Sequence, residues 1–216
     1  MGWMGIWLAA AVSQTTPEIC VAIAPPSGFV AVSTLGVRIT ADARYHGMDN
    51  FTGAPLPGYA APELWVRSEV GTALQAAAVT LKPQGYALQV LDGYRPVRAT
   101  QAMVDWARST DQAHLLTDGY IAVRSGHNHG HTVDLTLVQG ADGAPVDMGS
   151  AFDHFGVESH HDAAVTPAAQ QARKALSDAM KAAGFRSYSK EWWHYRLPLT
   201  GTTPLDVPIA CEPTTP

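Results

Sequence analysis

Two short stretches of this chain concentrate side chains able to hold a metal ion. Ser125-Gly126-His127-Asn128-His129-Gly130-His131-Thr132-Val133-Asp134 supplies imidazoles and a carboxylate, and Glu191-Trp192-Trp193-His194 adds one more of each. A catalytic zinc site commonly has three protein ligands and one position left open for water. A nearby glutamate outside the ligand set is the natural proton acceptor for that water. With His127, Asp134 and His194 as ligands and Glu191 as base, the chemistry would be hydrolysis of an amide bond.

Positioning these groups makes demands on the backbone. If Thr132 to Leu137 is a strand, Val133, Leu135 and Leu137 share one face and Asp134 projects from the other, away from the apolar layer. The turn at Gly130 would bring His127 back to the same point, while strand alternation would point His131 away and leave His129 at an exposed turn tip. Glu191 and His194 are three apart, so on an ideal strand they face opposite sides; serving one site requires a twist or turn near Trp192. The His160-His161 pair keeps a different ligand set open. Arg95, in Asp92-Gly93-Tyr94-Arg95-Pro96, stays protonated and could stabilise a developing oxyanion, or simply pair with Asp92.

The surrounding elements read as α+β in one domain, with helices on one side of a largely antiparallel sheet. Strand character runs from Leu35 to Tyr45 and from Tyr86 to Leu91. Strands are also expected over Ile121 to Arg124 and Thr132 to Val138, and a strand pair over Phe185 to Leu197. Helices are expected from Pro62 to about Pro83, from Val97 to Arg108, and from a Thr166 cap with Pro167 at its first position to Gly184.

With 216 residues, 46% of them hydrophobic, the chain can bury a sizeable core. A formal charge of −5 and pI near 5.9 offer no electrostatic footprint for nucleic acid. Beyond the first dozen residues nothing is long and apolar enough to span a bilayer, so no transmembrane anchor is expected in a mature chain. Residues 1–30 read as an N-terminal tail, with a possible signal segment at 1–13 that lacks a basic start but carries Ala11-Val12-Ser13 as a small-x-small cleavage site. Export to the periplasm or medium is the expectation, a cytoplasmic location the alternative. Cys20 and Cys211 could join in an oxidising compartment or be two unrelated thiols. The sequence carries no sign of oligomeric state.

Several further motifs stand in order along residues 40 to 200. They are Asp49-Asn50-Phe51-Thr52-Gly53, Gly58-Tyr59, Asp92-Gly93-Tyr94-Arg95-Pro96, Ser125-x-His127, Asp134-Leu135-Thr136-Leu137, Phe152-Asp153 and Tyr188-Ser189 before Glu191-Trp192-Trp193-His194-Tyr195. In these the chain resembles the D-alanyl-D-alanine dipeptidases of the VanX type, within the wider group of zinc D,D-carboxypeptidases, lysostaphin-like peptidases and hedgehog domains. The resemblance implies a zinc D,D-dipeptidase domain over 31–212 and one Zn2+ on His127, Asp134 and His194. It implies Glu191 as proton acceptor, Arg95 on the scissile carbonyl, Ser125 on the substrate carboxylate and Asp153 on its free amino group, with Tyr45 and Tyr59 lining the pocket. The partner would be a small dipeptide, D-Ala-D-Ala. Thr132 replaces the small alanine the family usually has two residues before the aspartate, and His129 replaces a basic residue. A D,D-carboxypeptidase acting on peptidoglycan stem peptides, or a non-catalytic zinc-bearing binding domain, are the alternatives.

Overall fold

The computed structural model describes residues 20–140 and 143–212. The possible signal segment at 1–13 lies outside the described residues.

The sheet is organised around the strand that carries Asp134. Twelve elements matter: β1 (Phe29–Ala31), β2 (Ile39–Ala41), β3 (Trp65–Arg67), α1 (Ser68–Leu81), β4 (Tyr86–Asp92), α2 (Val97–Ser109), α3 (His114–Thr117), β5 (Thr132–Gln139), β6 (Ala144–Pro145), α4 (Pro167–Ala182), β7 (Arg186–Tyr188) and β8 (Glu191–Arg196). The main sheet has the order β2-β4-β5-β8-β7, with β6 paired to β5; only β2 and β4 run parallel. β1 and β3 form a separate antiparallel pair. This is the α+β arrangement expected.

Apolar spacing explains how the helices dock. Val70, Leu74, Ala77 and Leu81 recur on one stripe of α1 and are fully buried, and α4 buries Ala169, Ala172, Leu176, Ala179 and Met180. The two helices pack on each other and on the sheet, α1 against β4 and α4 against β5, β7 and β8. Val133, Leu135 and Leu137 are all 0% exposed, so one face of β5 belongs wholly to this core. Thr166 caps α4 by accepting from the Ala169 amide, and Gly184 (φ +94) follows its end.

Three expected elements differ. The helix expected from Pro62 starts only at Ser68, because Trp65–Arg67 pairs with Phe29–Ala31 and Leu64 spends its carbonyl on the Val32 amide. Leu64, six residues before Val70, fits the helical stripe only roughly, and long-range pairing decides its place. The expected strand over Leu35 to Tyr45 shrinks to Ile39–Ala41, with Val37 99% exposed, and Arg44–His46 is a 3-10 turn that turns Tyr45 into the core. Ile121 to Arg124 forms no strand: the neighbour expected across the Asn128–Gly130 turn, β5, has its edges taken by β4 on one side and by β8 and β6 on the other.

The first and last described segments are fastened to each other. Cys20 and Cys211 form a disulfide across a separation of 191 residues, flanked by a bridge between Ala22 and Cys211 and by the Ile23 amide donating to the Ala210 carbonyl. Among the described residues no helix is long and apolar enough to cross a membrane.

Candidate active site

Two irregularities in the sheet, one on each side of β5, assemble the site. Between β4 and β5 the register runs Val90 to Leu135 and then Asp92 to Asp134, so Leu91 is an extra residue and Asp92 is brought opposite Asp134. Between β7 and β8, Ser187 pairs with Tyr195 and Tyr188 with Glu191: one step on β7 spans four residues on β8 (195 − 191 = 4). The surplus residues bulge, which is the turn near Trp192 that the spacing demanded. As a result Glu191, Trp193 and His194 all line one cavity, while Trp192 points the other way. Bulges commonly re-aim side chains beside active sites.

Across β5, His194 is the direct partner of Asp134. His127 arrives from the 3-10 turn Gly126–His129, whose start is capped by Ser125: its Oγ accepts from the His127 amide at 3.2 Å. His129 is not at an exposed tip; it is half-buried, and its Nδ1 meets the Thr202 carbonyl at 3.2 Å. The turn is tied to the Asp92–Pro96 loop by the Arg95 amide on the His127 carbonyl (3.1 Å) and by Asn128 Nδ2 on the Arg95 carbonyl (2.9 Å). Gly93 is required there, since a Cβ would sit 2.5 Å from the Trp65 carbonyl oxygen.

His127, Asp134 and His194 each offer a ligand atom within 4.8 Å of the others. His127 Nε2 lies 3.4 Å from His194 Nδ1 and 3.3 Å from Asp134 Oδ2, and His194 Nδ1 is 2.9 Å from Asp134 Oδ1. Ligands about 2.1 Å from a tetrahedral ion stand roughly 3.4 Å apart, so this donor set fits a zinc ion. The Gly93 carbonyl accepts from His127 Nδ1 at 2.8 Å, which fixes the proton there and frees Nε2 for the centre. His129, His131, His160 and His161 lie outside this group; His131 is buried against Thr132 and His160 meets the Tyr120 hydroxyl at 3.0 Å.

Around the trio, charge is concentrated and dry. Glu191 is 6% exposed, with Oε2 3.5 Å from His194 Nδ1. Burial, then repulsion from Asp134 and Asp153, pushes its carboxyl well above the usual range. Arg95 is held by Asp92 through Nε (2.9 Å) and Nη2 (2.8 Å), stands over the Tyr45 ring at 5.1 Å, and reaches within 3.7 Å of Asp134 Oδ2. The expected pairing with Asp92 and an aim toward the cavity therefore coexist. Asp153 stands on the cavity wall at φ +59, its carboxylate accepting from the Tyr45 hydroxyl at 3.0 Å. Burial, then repulsion from Asp134, lifts its carboxyl well above the usual range.

The cavity, about 260 Å³, gathers Tyr45, Arg95, Ser125, His127, Asp134, Asp153, Glu191 and His194. Tyr59, expected in the pocket lining, is not there: it is 3% exposed and its hydroxyl donates to Asp92 Oδ1 at 2.6 Å, behind Arg95. Sequence reasoning also passed over the apolar wall of Met103, Tyr120, Ile121 and Phe155. In the sequence, Asp92 reads only as an ion-pair partner for Arg95; the structure makes it a hub that also holds Tyr59 and Gly93. Phe155 had no signal; Asp92 had one in its place at the end of a buried strand.

The chain matches the D-Ala-D-Ala dipeptidase family of M15 peptidases over residues 26–213. A D-alanyl-D-alanine dipeptidase of Enterococcus faecalis is 37% identical over 79% of this chain and 92% of its own length, and one of Streptomyces coelicolor is 38% identical over 78% and 91%. A solved structure of VanYB in complex with D-alanine-D-alanine is a more distant likeness, 18% identical over 62% of this chain and 72% of that one, with a TM-score of 0.40. By the extent of the family match and of these sequence relatives, the chain belongs to the D-Ala-D-Ala dipeptidases of the M15 metallopeptidases.

Proposed function

We propose that this enzyme hydrolyses the D-Ala-D-Ala dipeptide to two D-alanines, with one zinc ion held by His127, Asp134 and His194. The observation that carries the proposal is the convergence of those three ligand atoms in a cavity whose other walls present Glu191, Arg95 and Asp153. The activity named for the relatives supports the choice of substrate.

When bound, zinc supplies a Lewis acid and brings the pKa of a water toward neutrality. Glu191 accepts the proton of the attacking water and returns it to the leaving amine; burial, which raises its carboxyl, suits both halves of that task. Arg95, locked by Asp92, directs its N–H groups at the carbonyl oxygen as charge develops. Asp153 pairs with the free ammonium, which would reverse the upward shift of its carboxyl. Ser125 uses an acceptor lone pair on the His127 amide, which leaves its O–H for the substrate carboxylate. Reading both ends of a dipeptide gives selectivity, because a longer or blocked peptide leaves a buried charge unpaired. A purely structural metal site has no use for Glu191 or Arg95.

The Cys20–Cys211 disulfide supports a location outside the reducing cytoplasm, periplasmic or secreted. We take 31–212 as the catalytic unit.

The test is an assay of the metal-loaded enzyme on D-Ala-D-Ala beside its N-acetylated analogue, reading free D-alanine. Cleavage of the dipeptide alone is expected. Equal cleavage of the blocked compound would remove Asp153 from its role and make the enzyme a D,D-carboxypeptidase.

A further inference from the structure

Arg173 is a buried cation that spends itself on one loop. It projects from α4, is 4% exposed, and among the described residues forms no salt bridge. Its Nε donates to the Met148 carbonyl (2.5 Å), Nη1 to the His160 carbonyl (2.8 Å), and Nη2 to the Glu158 carbonyl (2.7 Å) and Ser150 Oγ (3.4 Å). Those acceptors lie at the two ends of the segment 148–160, which contains no strand and only the single 3-10 turn Val157–Ser159. One guanidinium thus draws together a loop that has no ladder to hold it.

At the middle of the same loop stands Asp153, with a left-handed φ of +59, a region that is uncommon outside glycine and that aspartate tolerates better than most side chains. The loop is tied inward as well. Ser150 Oγ accepts from Trp192 Nε1 at 2.9 Å and lies 3.0 Å from Ser159 Oγ, while Ser159 Oγ donates to the His154 carbonyl at 2.6 Å. The Arg173 guanidinium also sits 5.8 Å from the Trp192 ring centre. Trp192 is the outward-turned member of the bulge that presents Glu191 and His194, so the clamp leans on the back of the site.

We propose that Arg173 is a positioning residue for recognition of the free amino terminus: by fastening both ends of the 148–160 loop, it holds Asp153 in the conformation that faces the cavity. This rests on the reading of Asp153 as partner of the substrate ammonium. Arg173 does not line the cavity, and its hydrogen bonds reach none of His127, Asp134 and His194. Lysine keeps the charge but loses the planar fork that reaches three carbonyls at once, so Arg173→Lys should loosen the loop.

The experiment compares kcat/KM for D-Ala-D-Ala with that for the des-amino analogue propionyl-D-Ala, in the metal-loaded wild type, Arg173→Lys, Ser150→Ala and Asp153→Asn. The free-amine preference should fall about tenfold in Arg173→Lys, the size of one lost charge-assisted hydrogen bond. That loss should appear in KM with kcat nearly unchanged. Ser150→Ala, a milder change that keeps the proposal testable should Arg173→Lys not fold, should lower the preference about threefold, as for a weaker neutral bond. Hydrogen exchange should speed up in 148–160 and not in β4 or β5. Equal loss on both substrates in the clamp variants, with the preference collapsing only in Asp153→Asn, would overturn the role of Arg173. An unchanged preference in Asp153→Asn itself would instead sink the Asp153 reading and this inference with it.

Discussion

Replacing Asp92 by asparagine should cripple the site without emptying it. Asp92 is fully buried and every position on its carboxylate is taken. Oδ1 accepts from the Tyr59 hydroxyl at 2.6 Å and the Gly93 amide at 2.9 Å; Oδ2 accepts from Arg95 Nε and Nη2 at 2.9 and 2.8 Å and lies 3.2 Å from His127 Nδ1. An asparagine has one oxygen and one amino group. Whichever way it turns, its amino group opposes donors, either those of Arg95 or those of Tyr59 and Gly93. Removing one partner of a buried charge pair costs about 3–5 kcal/mol. Asp134, 3.7 Å from Arg95, supplies part of the missing charge and places the cost at the lower end. At about 2–4 °C per kcal/mol for a chain of this size, Tm should fall by roughly 6–12 °C. Loss of one well-aimed oxyanion donor costs about 10²–10³ in kcat, and a fall of about 100-fold is expected here. Metal should remain, because His127 keeps its bond to the Gly93 carbonyl. The measurements are thermal melting, steady-state kinetics and zinc stoichiometry on one preparation. A variant that melts early yet turns over at the wild-type rate would refute the coupling of Asp92 to Arg95.

Glu191→Gln keeps the shape of the side chain and loses its ability to take a proton; kcat should drop by about 10²–10⁴ with zinc still bound. Asp134→Ala should lose the metal itself, and full zinc occupancy by elemental analysis would contradict its place in the ligand trio. Tyr59→Phe removes one of the bonds to Asp92 and should cost about 1 kcal/mol with little effect on turnover, as measured by denaturant unfolding. Breaking the Cys20–Cys211 link, which closes 191 residues, should lower stability by at most about 5 kcal/mol on loop entropy. Turnover well below Tm should stay the same, and a rate that falls on reduction before any melting would show that the link also shapes the site.

Side-chain chemistry was legible where period and type agreed. Thr132 to Leu137 alternates cleanly, so both the strand and the projection of Asp134 away from the apolar layer could be read from it. The capped start and glycine end of α4 were equally plain. Leu64-Trp65-Val66 was not, because an apolar run of that length fits a helix or a buried strand until a partner is known, and Val66 finds its partner 36 residues upstream at Val30 (66 − 30 = 36). Tyr59 was misplaced for a related reason. A resemblance puts a tyrosine near a site, but which side of Arg95 it occupies depends on the path of the backbone.

The bulges mark the deeper limit. A surplus residue in a strand changes no composition and little hydrophobicity, yet it shifts all later side chains to the other face. Asp134 stands between two such shifts, at Leu91 and at Trp192 to His194. Without the first, Asp92 would not stand opposite Asp134; without the second, Glu191 and His194 would face opposite sides. The irregular backbone is stabilised by apolar bulk, with Trp192 and Trp193 packed edge to face at 5.2 Å and 2% and 1% exposed. The register shift lets the polar residues of Glu191-Trp192-Trp193-His194 share a face, and the two buried tryptophans pack around it. A chain with alanines at Trp192 and Trp193 should relax toward a regular strand and draw His194 away from His127 and Asp134, which zinc stoichiometry would register as lost binding.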